Sequence, residues 1–149
     1  FEIVYDGGGV TVVDDYAHHP TAIAQTIAAA RGSSTRPVIV AFQPHRYTRT
    51  RYLAAEFATA LAGADAVLLA PVYAASEEPI AGVSERSIGE PLAALGTPVT
   101  YVAAVEDLLD AVPHAIGGEV VVLMLGAGSI SNVAHRLSAK LAAQPAALR

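Results

Sequence analysis

Apolar positions along this chain fall into two rhythms. Short, nearly continuous apolar runs occupy residues 10–15, 37–42, 66–70, 97–102 and 119–125, each bounded by glycine, proline or polar clusters. Such runs fit strands, and the most apolar of them, 119–125, fits one packed on both faces. Residues 1–5 alternate instead, and they reach the 10–15 run through Asp6-Gly7-Gly8-Gly9. That turn composition predicts an antiparallel hairpin. A phosphate-binding loop is a poor reading of the same glycines, because no helix follows them and no Lys-Ser/Thr completes the motif.

Between the runs the apolar period lengthens to three and four. After Pro20, Ile23 and Ile27 with Ala24, Ala28 and Ala30 predict a helix ending near Arg31-Gly32. Leu53, Phe57 and Leu61 predict a second, closed by Gly63. Ser87-Ile88-Gly89-Glu90 has the pattern of a capping box, which puts Pro91 in a first turn and turns Leu92 and Leu95 inward. Val105, Leu108, Leu109, Val112 and Ile116 mark a helix that Pro113 shortens or kinks. Ser129 is placed to cap a last helix with Ile130, Val133, Leu137 and Leu141 inward. Residues 71–83 read as an irregular loop, and the alanine-rich tail after Leu141 as a fraying end.

A hairpin followed by alternating helices and strands predicts an α/β fold. It is Rossmann-like: a mostly parallel, doubly wound sheet of about six strands, with an N-terminal antiparallel hairpin and helices on both faces. At 149 residues the chain makes one domain, 1–149, large enough to cover a sheet on both sides. With 53% hydrophobic and 15% charged residues it is a folded chain and not a disordered one. The net charge of −5 argues against a general nucleic-acid or anionic-membrane binder. No apolar run approaches the roughly 18–20 residues of a membrane span. Zero cysteines remove disulfides and thiolate metal sites and fit a cytoplasmic setting. Phe1, with no initiator methionine, reads as the start of a piece of something longer.

The polar residues gather where strands hand over to helices. Val12-Val13-Asp14-Asp15-Tyr16-Ala17-His18-His19-Pro20 puts two carboxylates and two imidazoles at the carboxyl end of a strand, facing a helix start. Open α/β sheets bind ligands at that edge. Asp15 can accept both hydroxyls of a ribose, or it can cap the helix or pair with a cation; the residues leave these open. Asp14 points to the opposite face of the strand. His18 and His19, adjacent on an extended chain, are expected to face apart, which makes a metal site a poor reading. Neutral His can donate one hydrogen bond and accept another, which suits an amine or a phosphate.

A second strand ends in Phe42-Gln43-Pro44-His45-Arg46-Tyr47-Thr48-Arg49-Thr50-Arg51. Arginine presents a planar fork that grips a carboxylate with two bonds. A helix beginning after Pro44 would carry Arg46 and Arg49 on one face, near an N-terminus whose dipole opposes cations. A bound anion would explain that cost. Arg51 reads as a surface or phosphate-side residue. Gly126-Ala127-Gly128-Ser129 resembles a shortened dinucleotide fingerprint, but it lacks the third glycine and a following strand with a ribose-binding acid. Ser129 there opens a helix N-terminus whose N–H groups can reach a carboxylate.

Taken together, these stretches resemble the C-terminal domain of the Mur ligases, and within that family its alanine-adding branch. The resemblance runs through Asp14-Asp15-Tyr16-Ala17-His18-His19-Pro20, through residues 42–51, through Val72-Tyr73-Ala74-Ala75 with Glu77 and Pro79, and through Gly126-Ala127-Gly128-Ser129. It implies ATP-dependent amide formation in peptidoglycan biosynthesis. The carboxylate of UDP-N-acetylmuramate is phosphorylated to an acyl phosphate, which the amine of L-alanine attacks, with magnesium balancing phosphate charge. It further implies that Asp15 and Tyr73 serve the nucleotide, that His18 and Ser129 serve the substrate, and that His45, Arg46 and Arg49 hold the alanine carboxylate. Where the family has an acid, this chain has Pro71.

No Gly-x-x-x-x-Gly-Lys-Ser/Thr loop occurs in the sequence. ATP and magnesium are therefore expected to be held mainly by a central domain, which with a UDP-binding domain precedes this one in the family. Alone, the chain is expected to be inactive. Two alternatives remain from the sequence. One is the tripeptide-recycling branch, which shares Asp-Asp-x-Ala-His-His-Pro but should differ at residues 45–51. The other is a stand-alone nucleotide- or anion-binding α/β module.

Overall fold

A computed structural model describes residues 1–144. The hairpin is β1 (Glu2–Gly7) and β2 (Val10–Asp15), antiparallel as expected, with a register shift between Ile3 and Tyr5. Gly8 and Gly9 make the turn at φ 61° and 83°, a region that glycine enters without steric cost. Then follow α1 (Pro20–Ser33), β3 (Val38–Phe42), α2 (Tyr47–Leu61), β4 (Ala66–Leu69), α3 (Arg86–Ala94) and β5 (Val99–Tyr101). A single 3-10 turn (Val105–Asp107) leads into α4 (Leu108–Ala115), and β6 (Val120–Leu125) and α5 (Ile130–Ala143) complete the described chain. Residues 145–149 of the alanine-rich tail lie outside it.

The sheet order is β1-β2-β6-β3-β4-β5, parallel throughout except at β1. β3 and β6 are buried along their whole length, which is why they read as unbroken apolar runs. Strand alternation divides the core in two. Val13, Val38, Val40, Phe42, Leu123 and Leu125 pack with Ile23 and Ile27 of α1, Phe57 and Leu61 of α2, and Ile88 and Leu92 of α3. On the other face Val12, Ile39, Ala41, Val122 and Met124 meet Leu108 and Val112 of α4 and Ile130, Val133 and Leu137 of α5.

This topology places the polar turns. The crossover through α1 leaves a gap between β2 and β3 that β6 fills from the opposite face. The carboxyl ends of β2, β6 and β3 therefore lie side by side, with their helices leaving to different faces. That is the switch point where open α/β sheets form a crevice.

Two local expectations fail. The box at Ser87-Ile88-Gly89-Glu90 sits one turn earlier: Ser84 Oγ accepts from Arg86 N and Ser87 Oγ from Ser84 N, each at 3.1 Å. Pro91 consequently lies inside α3, and Leu95 is exposed because it falls past the helix end at Ala94.

Candidate functional site

The turn after β2 is closed by its own side chains. Asp15 Oδ1 accepts from Ala17 N at 2.9 Å, and Oδ2 is reached by Thr26 Oγ1 of α1 at 3.3 Å. The carboxylate is thus fixed at the crevice floor, its side chain 16% exposed. Pro20 opens α1 as the first helical residue, where its missing N–H costs nothing. Asp14 faces the other way, as strand alternation requires, and accepts from Ser131 Oγ at 2.6 Å with His135 at 3.5 Å. His18 Nδ1 donates to Tyr16 O at 2.8 Å. The His18 and His19 rings do not face apart: their centroids are 4.9 Å apart, because the chain is already turning.

The turn after β3 is built differently. His45 forms a one-residue parallel bridge with Tyr73, in which Arg46 N donates to Tyr73 O and Tyr73 N to Pro44 O, both at 2.8 Å. The His45 and Tyr73 rings stack at 5.4 Å and 17°. This bridge delays the helix, which starts at Tyr47. Arg46 therefore precedes α2, at φ 73°, and does not share a helical face with Arg49 as the sequence suggested. Non-glycine residues rarely hold such a φ, and Ala75 and Ser76 on the facing loop do so as well, at 51° and 71°. Arg49, half-buried, points Nη1 at His45 Nδ1 at 3.2 Å and at His45 O at 3.3 Å. The ring of His18 lies 5.8 Å from that of His45.

The basic start of α2 is not left unopposed. Glu77 accepts from Thr48 N at 3.1 Å and from Thr48 Oγ1 at 2.5 Å, so an internal carboxylate occupies the helix N-terminus. Hydrogen bonds from the Thr48 side chain, with those of the Thr48 and Tyr47 backbone, hold the Glu77 carboxyl below the usual carboxylate range. The helix dipole thus gives no reason of its own for an external anion. Burial, then the nearby Arg49 guanidinium, lowers the His45 imidazole from its ordinary value, and His19 shifts the same way for the same causes.

Sequence reasoning passed over Gln43. Only 3% exposed, it clamps two strand ends: Oε1 accepts from Ile130 N and Nε2 donates to Ser129 Oγ, both at 3.1 Å. Ser129 is therefore not the side-chain cap of α5; Gln43 is, and the Ile130 N–H is already taken. The signal was a polar residue ending a wholly apolar run just before a proline. The glycines of the 126–129 turn serve the same clamp. A Cβ on Gly128 would lie 2.7 Å from Gln43 Oε1 and from Tyr73 Cγ; one on Gly126 would lie 2.8 Å from Ile130 Cγ2 and 3.0 Å from Gln43 O. Close packing accounts for this Gly-x-Gly with no dinucleotide.

His18, His45, Arg49 and Tyr73 thus converge in one cluster, with Asp15 beside it at the end of β2, Ser129 behind it and Arg46 exposed at its rim. A separate groove between α1 and α2, lined by Ala24, Ile27, Ala28 and Ala60 with Arg31 and Glu56, holds none of these side chains.

A parallel sheet with arginine and histidine side chains gathered where its strand order reverses defines an α/β module whose polar groups lie at the carboxyl edge. The description "Mur ligase, glutamate ligase domain" matches residues 1–128, and the chain belongs to that family. It is 50% identical over 139 residues to UDP-N-acetylmuramate–L-alanine ligase of Acidithiobacillus ferrooxidans, covering 90% of this chain and 29% of that protein. It is 41% identical over 140 residues to the ligase of the same name from Carboxydothermus hydrogenoformans, covering 94% and 30%. Among solved structures, the UDP-N-acetylmuramate-alanine ligase of Thermotoga maritima superposes with a TM-score of 0.75 at 27% identity, over 93% of this chain and 28% of that one. The chain thus spans less than a third of the length of these relatives.

Proposed function

We propose that this chain is the C-terminal domain of an ATP-dependent ligase that joins L-alanine to UDP-N-acetylmuramate through an acyl phosphate, in peptidoglycan biosynthesis in the cytoplasm. The convergence of His18, His45 and Arg49 at the sheet edge carries the reading, and likeness to alanine-adding ligases over nine-tenths of the chain supports it. The Arg49 guanidinium and His45 would grip the alanine carboxylate, the largest handle such a small substrate offers. Arg46 would close from the rim, Ser129 would border the substrate, and His18 would face the amine. Asp15, fixed by its turn, would take ribose hydroxyls, with Tyr73 flanking the nucleotide.

Magnesium would balance the phosphate charge, but this chain is not built to hold it. Among the described residues, one group of histidine and carboxylates could share an ion: Glu2, Asp14 and His135, on the α5 side of the sheet. It offers an imidazole where magnesium prefers oxygen, and the cluster of His18, His45 and Arg49 is cationic or neutral. ATP and magnesium would therefore sit mainly on upstream domains, over which this one closes. No membrane or nucleic-acid partner enters the reading, and no described helix is long and apolar enough to cross a membrane.

The test is turnover. Full-length enzyme given ATP, magnesium, UDP-N-acetylmuramate and L-alanine should release ADP and form the alanyl amide, while the 149-residue chain alone should not. Full-length enzyme that binds ATP but shows no alanine-dependent ADP release would overturn the alanine-adding reading.

A further inference from the structure

Two hydrogen bonds fix the proton positions on the imidazoles of the cluster. A carbonyl oxygen can only accept, so the 2.8 Å contact of His18 Nδ1 with Tyr16 O places a proton on Nδ1. The neutral ring then carries its lone pair on Nε2. A guanidinium can only donate, so the 3.2 Å contact of Arg49 Nη1 with His45 Nδ1 places the lone pair there and the proton on Nε2. The rings, 5.8 Å apart and inclined at 62°, are thus opposite tautomers. One offers an acceptor and the other a donor.

An amino acid arrives as a zwitterion, and on the ligase reading the two imidazoles would divide its ends between them. Arg49 and the Nε2–H of His45 suit the carboxylate; the Nε2 lone pair of His18 suits the ammonium. An ammonium has no electron pair with which to attack an acyl phosphate, so it must first lose a proton.

We infer that His18 is a catalytic base that takes this proton on Nε2, while its Nδ1–H stays on the Tyr16 carbonyl. This rests on the ligase reading above. The N–H bond breaks, and its electron pair remains on the amine nitrogen. That pair forms the C–N bond as the acyl C–O bond to phosphate breaks. The second amine proton leaves with the phosphate, and the His18 imidazolium returns its proton to solvent. The titratable and charged groups facing His18 are Tyr16 and His19 from its own turn, at 5.1 and 4.9 Å between rings, and His45 with Arg49 from the turn after β3.

The experiment uses full-length enzyme with His18→Asn, which keeps a donor near Tyr16 O, and with His18→Gln. Both should lower kcat by about a hundredfold or more, the usual size of a general-base effect, and should change the alanine KM little. The acidic limb of the kcat–pH profile should disappear. Hydroxylamine, already unprotonated at neutral pH, should trap the acyl phosphate nearly as fast in the variants as in wild type, which also shows that they fold. Equal losses with alanine and hydroxylamine, or an unchanged pH profile, would make His18 structural and overturn the inference. A wild-type enzyme with no alanine-dependent turnover would overturn the ligase reading as well.

Discussion

The turns after β2 and after β3 look alike as sequence and are held in opposite ways. Each is an apolar strand, a polar stretch and a proline before a helix. The first is nearly self-contained: Asp15 bonds the Ala17 N–H two residues on, and Pro20 starts α1. The second is assembled from distant parts. Glu77 caps α2 from 29 residues away, Tyr73 bridges and stacks on His45, and Gln43 reaches 87 residues to Ile130. Its backbone is strained at Arg46, and the loop that supports it is strained at Ala75 and Ser76. Local chemistry suffices to hold a carboxylate at a sheet edge. Presenting Arg49 and His45 together takes long-range contacts that outweigh unfavourable torsions.

If that contrast is right, the second turn should break most readily from afar. Gly126→Ala should cost the most, about 2–4 kcal/mol in urea unfolding. A Cβ there meets backbone at 3.0 Å, and φ 150° is unsuited to alanine. A loss under about 0.5 kcal/mol would show a pliable clamp, since that is the scale of an indifferent surface change. Gln43→Ala leaves the buried Ile130 N–H without its partner and should cost about 1–3 kcal/mol.

Arg49→Lys keeps the charge and loses the fork. On the ligase reading proposed above, the full-length enzyme should then show an alanine KM raised about ten- to a hundredfold, with ATP affected little. An unchanged alanine KM would return Arg49 to a structural contact of His45.

On the other side of the comparison, Pro20→Ala should cost only about 0.4–1 kcal/mol, mostly through a freer unfolded chain. A larger loss would mean that the first turn also depends on its surroundings.

The smallest effect is acid sensitivity. His45 and Glu77 both have folded pKa values below their ordinary 6.5 and 4.5. In each case the unfolded chain takes up the proton first as pH falls. Their contributions are therefore complete above those ordinary values and are lost progressively below them, His45 first. Amide exchange at Tyr47 and Thr48 should quicken below the carboxylate range, and Glu77→Gln should flatten that dependence.

Much of the fold was written in the sequence. Apolar runs and helical periods depend on nearby residues, so the hairpin, α1, β3, β4, β6 and α5 lie where periodicity placed them. Asp14 and Asp15 on opposite sides of β2 follow from strand alternation alone. The sequence also singled out His18, His45 and Arg49, and the structure brings these three side chains together at the sheet edge. What the tertiary structure decided was their arrangement. The start of α2 moved to Tyr47 because Tyr73 pairs with the chain at His45, and no local preference of Arg46 would produce its φ of 73°. The cap of α5 passed from Ser129 to Gln43 because β6 inserts beside β3, a strand order that no stretch of sequence announces. Proton positions on His18 and His45 were likewise fixed by partners that only folding supplies. Periodicity is a property of neighbours along the chain; caps, tautomers and strained torsions are set by neighbours in space.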